Sequence, residues 1–331
     1  MTRVSVIIPT YDYAGYLGGA MASVLGQTHD DLELIVLDNA STDDTPVVVA
    51  RVCDSRLRSV RNATNIGFNA NVNLGFGLAR GDVVVIMGAD DEWSPTFLER
   101  AVARLDDDAT LAFVHGRAVW IDAEGTAFGD SHAGWAHRTS GDLAFVDCFR
   151  RGFSLTTMVM RTDAVRRVGG FHREWDEIAD AWLFLLLCFE GAVGYLDEPL
   201  VRYRVHERSM TTSWSRGGEG FRGYIALAEA AFDLADARAR RLTKWKRFAV
   251  RSVVRDTIAM LHVVRQQDGV AKYLSAFGTV VAITPEVCLL PTTWARFTLG
   301  LVPPRVVLAL RQWKRRRWGR RHGLASAGPA R

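Results

Sequence analysis

The sequence predicts an α/β fold: a mostly parallel sheet flanked by helices, with a helical appendage after it. Two observations carry this prediction. Short apolar runs rich in β-branched residues alternate with helix-length segments through about Leu105, and connections of that length join parallel strands. The runs are also apolar throughout instead of alternating with polar residues, as strands buried on both faces are. Polar residues gather directly after each run, and in open α/β sheets ligands sit outside the carboxyl ends of the strands.

The elements follow in order. Val4-Ser5-Val6-Ile7-Ile8 reads as the first strand and ends in Pro9-Thr10-Tyr11-Asp12, after which Leu17, Met21, Val24 and Leu25 recur at helical spacing. Leu32 to Leu37 is a second strand, ending in Asp38-Asn39-Ala40-Ser41-Thr42-Asp43-Asp44. Pro46 then opens a helix, as proline does after a cluster of Asp and Thr. A weaker strand, Leu57 to Arg61, precedes Asn65-Ile66-Gly67-Phe68 and a helix of small residues to Leu78. Val83-Val84-Val85-Ile86-Met87 is a buried central strand that delivers Asp90 and Asp91 to its carboxyl end.

Two adjacent acids at a buried strand end repel, and one would keep its proton without a compensating cation or hydrogen-bond donors. A hard divalent ion, Mg²⁺ or Mn²⁺, shared with a substrate phosphate provides that compensation. No glycine-rich phosphate cradle of the dinucleotide or P-loop kind follows the first strand, so the phosphate work falls to a metal. Tyr11 offers a ring to stack on a base, and Asp38 and Asn39 offer acceptor and donor groups suited to a pyrimidine edge. Asp90 suits ribose hydroxyls and Asp91 the metal.

Seven stretches, in order over residues 1–210, resemble the family 2 glycosyltransferases of the nucleotide-diphospho-sugar transferase (GT-A) fold. They are Val4 to Tyr11, Ser23 to Thr28, Asp38 to Asp43, Asn65-Ile66-Gly67, Ala89-Asp90-Asp91, Gly169-Gly170-Phe171 and Tyr203-Arg204-Val205-His206. The resemblance implies a donor site made of Pro9, Thr10, Tyr11, Asp12, Asp38, Asn39, Asn65, Gly67 and Asp90, with Asp91 as metal ligand. It places Arg204 and His206 at the donor diphosphate, where a guanidinium fork and an imidazole suit phosphate oxygens. It makes Asp180 the general base of an inverting displacement, with Ala179 where the family usually has a glutamate. Gly88 replaces an outer acid of the family pattern, which leaves room for the donor sugar. Thr156, Thr157 and Trp182 are assigned to the acceptor side, with Trp135 and Trp175 as further sugar-stacking candidates. The implied substrates are a UDP- or dTDP-sugar and a glycan or polyprenyl- or other lipid-linked acceptor. A non-catalytic nucleotide-sugar-binding subunit of a membrane assembly is the alternative, suggested by Gly88 and Ala179.

At 331 residues the chain exceeds one typical core. Residues 1–214 are read as the transferase domain, 215–310 as a helical extension and 311–331 as a basic tail. Ser215 to Gly220 reads as a linker, and the apolar stretches Tyr273 to Leu290 and Phe297 to Leu310 are too broken to span a membrane. Cys53, Cys148, Cys188 and Cys288 lack paired spacing and read as buried free thiols. Met1-Thr2-Arg3 runs straight into the first strand, which predicts no signal peptide and a cytoplasmic protein. The tail holds eight Arg and Lys and no acid, so the net charge of +4 becomes −4 for residues 1–310 (33 basic against 37 acidic). A basic segment bearing Trp313 and Trp318 suits an anionic membrane surface, and the protein is expected to be peripheral on the inner face of the cell membrane. A disordered tail and nucleic-acid binding are the competing readings. Nucleic acid is not expected, because the body is net negative.

Overall fold

The computed structural model describes residues 2–131, 134–206, 209 and 220–254, with nine isolated positions between Val270 and Phe297. Two compact units divide the chain: residues 1–120 with 130–204, and residues 121–129 with 205–331. The predicted linker at 215–219 and the basic tail at 311–331 lie outside the described residues, as do Cys288 and nearly all of the two apolar stretches.

In the first unit the predicted strands become β1 (Val4–Thr10), β2 (Leu32–Asp38), β3 (Leu57–Arg61) and β4 (Val83–Ile86). All pair in parallel, in the order β3-β2-β1-β4. Between them run α1 (Ala14–Leu25), α2 (Thr45–Ala50) and α3 (Phe68–Leu78). The remaining strands are β5 (Glu92–Trp93), β6 (Leu111–Ile121), β7 (Ala127–Ser131), β8 (Arg138–Thr139), β9 (Val159–Arg161) and β10 (Ala192–Arg204). The remaining helices of this unit are α4 (Phe97–Asp106), α5 (Gly141–Arg151), α6 (Thr162–Val168) and α7 (Ala179–Leu187). From β4 the sheet continues through β9, β6 and β10 to β5. β9 runs antiparallel to β4 and β6, and β5 and β8 run antiparallel to β10. The parallel character therefore belongs to the amino-terminal half of the sheet.

Side-chain alternation sorts the helices onto the two faces. Val4, Val6 and Ile8 of β1 share a core with Leu17, Met21 and Val24 of α1 and Leu98, Val102 and Leu105 of α4. Ile7 and Leu37 point to the other face, where α3 packs so closely that a Cβ on Gly75 would stand 2.7 Å from Ile7 and 2.9 Å from Leu37. The small residues of α3 are there to let the helix approach the sheet. At the amino end of the strands, buried Glu33 accepts from the Ser5 hydroxyl (2.6 Å) and the Arg80 N–H (2.7 Å), which meets the requirement that a buried carboxylate be hydrogen-bonded.

The motif Gly169-Gly170-Phe171 has a purely conformational explanation. Gly169 (φ 87°) closes α6 in the left-handed region, the usual task of a glycine after a helix. Gly170 (φ 69°) lies where a Cβ would meet Asn73 Oδ1 at 2.6 Å. Asn73 in turn bridges both backbone groups of Phe171, accepting from its N–H (2.8 Å) and donating to its carbonyl (2.7 Å).

The second unit contains α8 (Gly220–Ala237), which buries Ile225, Ala228, Ala231, Phe232 and Ala235 at helical spacing. A single 3-10 turn (Thr243–Trp245) leads to a helical run at 246–254, tied to α8 by Lys246 and Asp233 at 2.9 Å. Among the described residues no helix is long and apolar enough to cross a membrane. Cys148 and Cys188 are buried free thiols, as expected; Cys53 is free but exposed, because it follows α2 in a surface turn.

Gly75 and Gly77 of α3 provide a paired test of this packing. Gly75→Ala is expected to destabilise the protein by about 1–3 kcal/mol through overpacking. Gly77→Ala, whose Cβ would meet nothing within 4 Å, is expected to stabilise by about 0.5–1 kcal/mol. Denaturant titration of the two variants checks both signs.

Candidate active site

The parallel register brings the donor-site candidates side by side. Thr10 of β1 pairs with Asp38 of β2, and Asp38 with Arg61 of β3. Asp38 is buried; its Oδ1 accepts from the Ser41 N–H (2.8 Å) and its Oδ2 from Arg61 (3.0 Å). Arg61 also donates to the Ser41 carbonyl (2.9 Å). Asn39 Oδ1 accepts from Asn62 (3.0 Å) and from the Ile66 N–H (3.0 Å), and its amide donates to Asn65 Oδ1 (2.7 Å). Asn65 also accepts from the Gly67 N–H (2.9 Å), and Asn62 reaches Asn71 on α3 (2.9 Å). Asn39 therefore holds the loop at 62–67 in place. Asp12 is likewise engaged with its own surroundings: Oδ1 accepts from the Thr42 N–H (2.7 Å) and fixes the loop after β2. Tyr11 projects from this floor with 42% of its surface exposed, open to stacking. Pro9 is buried within β1 beside Leu37.

At the end of β4 the chain turns on Gly88 so that both acids fold over it. A Cβ at residue 88 would stand 2.7 Å from Asp91 Oδ2 and 2.9 Å from Asp90 Oδ1. The space beside Gly88 is thus filled by the two carboxylates and is not left open for a donor sugar, which corrects the sequence reading. Asp91 is 3% exposed. Burial, reinforced by the Asp90 charge, raises its pKa far above the usual carboxylate range.

The antiparallel half of the sheet completes this corner. Because β10 pairs with β5 through Arg202 and Glu92, its last residue, Arg204, arrives beside Asp90 and Asp91. The Arg204 N–H donates to Asp91 Oδ1 (2.9 Å), Nε to the Asp90 carbonyl (2.8 Å) and Nη2 to Glu92 (2.7 Å). The guanidinium also lies over the Tyr16 ring at 5.0 Å. Arg204 is accordingly a buried clamp on the acidic turn, and sequence reasoning missed Glu92 and Tyr16 as its partners. Because β9 runs antiparallel to β4, the 3-10 turn before it (Leu155–Thr157) lies at the same end of the sheet, with the Thr156 carbonyl accepting from Trp93 Nε1 (3.2 Å). The Thr157 hydroxyl is used within that turn, donating to the Ser154 carbonyl (2.7 Å).

Asp180 stands in the first turn of α7, half-buried, with Oδ1 accepting from the Ala181 N–H (2.8 Å). Burial raises its pKa to about 6, against the stabilising pull of nearby backbone N–H groups. Its charge adds to the burial that makes the neighbouring Cys148 thiol a very weak acid. Trp182 and Trp175 pack ring on ring (4.9 Å between centroids), and the segment is fixed to α3 by Asn69, which donates to the Asp176 carbonyl (2.9 Å). Trp135 is a core residue, its indole donating to the Gly152 carbonyl (3.2 Å). His206 belongs to the second unit, where its carbonyl accepts from Ser209.

Four buried polar atoms without a hydrogen-bond partner fall on these segments: the Thr10 hydroxyl, Asn69 Oδ1 and the indole nitrogens of Trp175 and Trp182; the Thr156 hydroxyl faces Asp91. Orphaned groups are costly in a finished core; these four lie at the strand end that bears Asp38 and on or against the segment that bears Asp180, and others, such as Arg104 Nε and Arg117 Nε, lie away from both. Asn69 and Arg61 were not among the sequence candidates. Their signal was position alone, Arg61 at a strand end and Asn69 in the first turn of the following helix.

A family model described as "Glycosyl transferase family 2" matches residues 5–171. The chain belongs to that family. An uncharacterized glycosyltransferase of Nostoc is 30% identical over 215 residues, covering 62% of this chain and 65% of that relative, so the match spans just under two thirds of its length. An Escherichia coli UDP-Glc:alpha-D-GlcNAc-diphosphoundecaprenol beta-1,3-glucosyltransferase is 29% identical over 102 residues, covering 31% of this chain and 41% of that one. Among solved structures, Staphylococcus aureus TarS 1–349 in complex with UDP-GlcNAc superposes with a TM-score of 0.58 at 17% identity, over 84% of this chain and 90% of that one. A mannosyltransferase of Pyrobaculum calidifontis in complex with GDP-Man and Mn²⁺ gives 0.54 at 20% identity, over 91% and 86%. These likenesses establish the GT-A fold.

The acidic corner suits a divalent cation. Among the described residues no group of three or more His, Cys, Asp or Glu gathers to form a protein cage. Two converging carboxylates leave the remaining positions to substrate phosphate and water, the coordination that Mg²⁺ and Mn²⁺ prefer. Gly88→Ala is expected to push the two carboxylates apart and weaken Mn²⁺ binding by about tenfold or more, the usual size of a displaced supporting group. Titration of Mn²⁺ followed by electron paramagnetic resonance measures it.

Proposed function

We propose that this protein is an inverting glycosyltransferase that moves a sugar from a UDP- or dTDP-sugar to a hydroxyl of a cell-surface glycan or lipid-linked acceptor. The observation that carries the reading is the convergence of Asp90 Oδ1 and Asp91 Oδ2 over Gly88 at the carboxyl end of the central strand. Family membership supports it, as do relatives whose names or complexes include UDP-sugars and a diphosphoundecaprenol-linked acceptor. In this reading Tyr11 stacks on the base, and Asp38 with the loop held by Asn39 shapes the pocket edge. Asp90 takes ribose hydroxyls. Asp91 Oδ2, with Oδ1 already bound by Arg204, is the ligand of Mg²⁺ or Mn²⁺. That ion would neutralise the diphosphate leaving group.

The chain's own part in the reaction is to position and to accept a proton. Asp180 takes the proton of the acceptor hydroxyl as the oxygen attacks the anomeric carbon. A pKa near 6 keeps it ionised at neutral pH yet more basic than an exposed carboxylate. The indole N–H groups of Trp175 and Trp182, which lack partners within the protein, are donors for acceptor hydroxyls, while the Thr156 hydroxyl faces Asp91.

Two experiments follow from this assignment. Asp180→Asn is expected to keep donor binding, read by calorimetry with UDP-sugars and Mn²⁺, while turnover falls by at least about a hundredfold. Retained turnover would remove Asp180 from the mechanism. In the wild type, kcat/KM is expected to rise with pH through about 6 as Asp180 ionises.

The same group carries a stability signature. Its folded-state pKa lies above the ordinary 3.8, so the neutral carboxyl is favoured in the folded protein and stability is lost as pH rises through about 6. Asp180→Asn is therefore expected to melt at a higher temperature than wild type at pH 8. The gap should close below the ordinary carboxylate value.

A further inference from the structure

The second unit carries a surface that the transferase chemistry does not use. From residue 237 to residue 254 the chain has seven Arg and Lys and no acid. The helical run at 246–254 buries Ala249, Ser252, Val253 and Val254 on one side and leaves Arg247, Phe248 and Arg251 exposed on the other. Trp245, just before it, is 42% exposed and Phe248 38%. The two rings meet edge to face at 6.2 Å, and the Lys244 ammonium lies 5.8 Å over the indole. Arg241 and Lys244 are exposed as well.

A water-facing helix in a finished globular surface carries charged residues with isolated apolar ones. Here two large aromatic rings share the exposed face with Arg241, Lys244, Arg247 and Arg251; the acids beside them are Asp233, paired with Lys246 at 2.9 Å, and Asp236, which accepts from the Thr243 hydroxyl. Aromatic rings at the level of the headgroups, flanked by Lys and Arg that reach lipid phosphates, are how a helix lies in the plane of a bilayer. We propose that Trp245 and Phe248, with Arg241, Lys244, Arg247 and Arg251, form a docking surface for an anionic lipid bilayer. The partner follows from charge complementarity: Arg241, Lys244, Arg247 and Arg251 attract anionic headgroups, an attraction that a zwitterionic or cationic surface lacks.

This surface deepens the proposal of a lipid-linked acceptor, since it would hold the enzyme at the membrane in which such an acceptor resides. It is distinct from the basic tail at 311–331, and either could bind lipid without the other.

Co-sedimentation of the full chain with phosphatidylglycerol-containing vesicles, and with phosphatidylcholine vesicles alone, tests it. Wild type is expected to bind the anionic vesicles only. Two variants alter the surface, Trp245→Ser with Phe248→Ser and Arg247→Glu with Arg251→Glu. Each is expected to lower vesicle partition by about tenfold or more, the charge reversal through lost attraction to the anionic headgroups. All four positions are exposed, so circular dichroism and melting temperature should match wild type. Replacing Arg315, Arg316 and Arg317 by Ala should leave a component of binding that the surface variants remove.

Hydrolysis of a soluble UDP-sugar, which needs no lipid, separates this proposal from the transferase reading. It should be unchanged in the surface variants. Equal binding by the surface variants and wild type, no preference for anionic vesicles, or tighter binding to single-stranded nucleic acid than to vesicles would each overturn the proposal.

Discussion

The carboxylate pair of Asp90 and Asp91 is the constraint around which the first unit is organised. Two acids at the end of a buried strand raise each other's free energy, and burial of Asp91 adds to the cost. The fold offsets this from three directions. Gly88 gives the carboxylates room to converge, Arg204 donates to both acidic residues and to Glu92, and Trp93 locks the adjoining turn to the Thr156 carbonyl. The cost that remains is borne by keeping Asp91 protonated, and it is what a bound cation would relieve in the proposed metal site.

A second device is the use of asparagine as a connector. Asn39, Asn62, Asn65 and Asn71 form a chain of amide hydrogen bonds from β2 to α3. From the same helix, Asn69 and Asn73 reach the segment at 171–176 that precedes Asp180. One helix of small and amide residues thereby ties the pocket floor to the segment carrying the proposed base. Because α3 also sits tightly on the sheet at Gly75, the two sides of the site are referenced to one rigid element. Catalysis depends on such fixed geometry more than on any single contact.

Much of this was legible in the sequence. The four parallel strands, their connecting helices and the acids at their carboxyl ends follow from apolar runs and turn chemistry, and the structure places each within a residue or two. The roles of Asp12, Asn39 and Arg204 were less legible. A carboxylate or amide after a strand reads as a ligand group, but the Asp12 and Asn39 side chains are occupied by neighbouring loops. Their partners lie 20 or more residues away, and local pattern carries no information at that range. Gly88 was misread for the same reason: what fills the space beside a glycine is a property of packing, not of composition.

The sequence by itself determined the fold class and the residues at the strand ends, because hydrophobic periodicity and turn grammar are local properties. It also contained the family pattern. Only the tertiary structure decided that β9 and β10 join the sheet in the opposite direction and bring Thr156 and Arg204 to Asp91. Only it decided that Trp245 and Phe248 are both exposed, beside Arg247 and Arg251, while Ala249, Val253 and Val254 are buried. Strand direction and burial are settled by contacts between distant segments, and those exist only once the chain has folded.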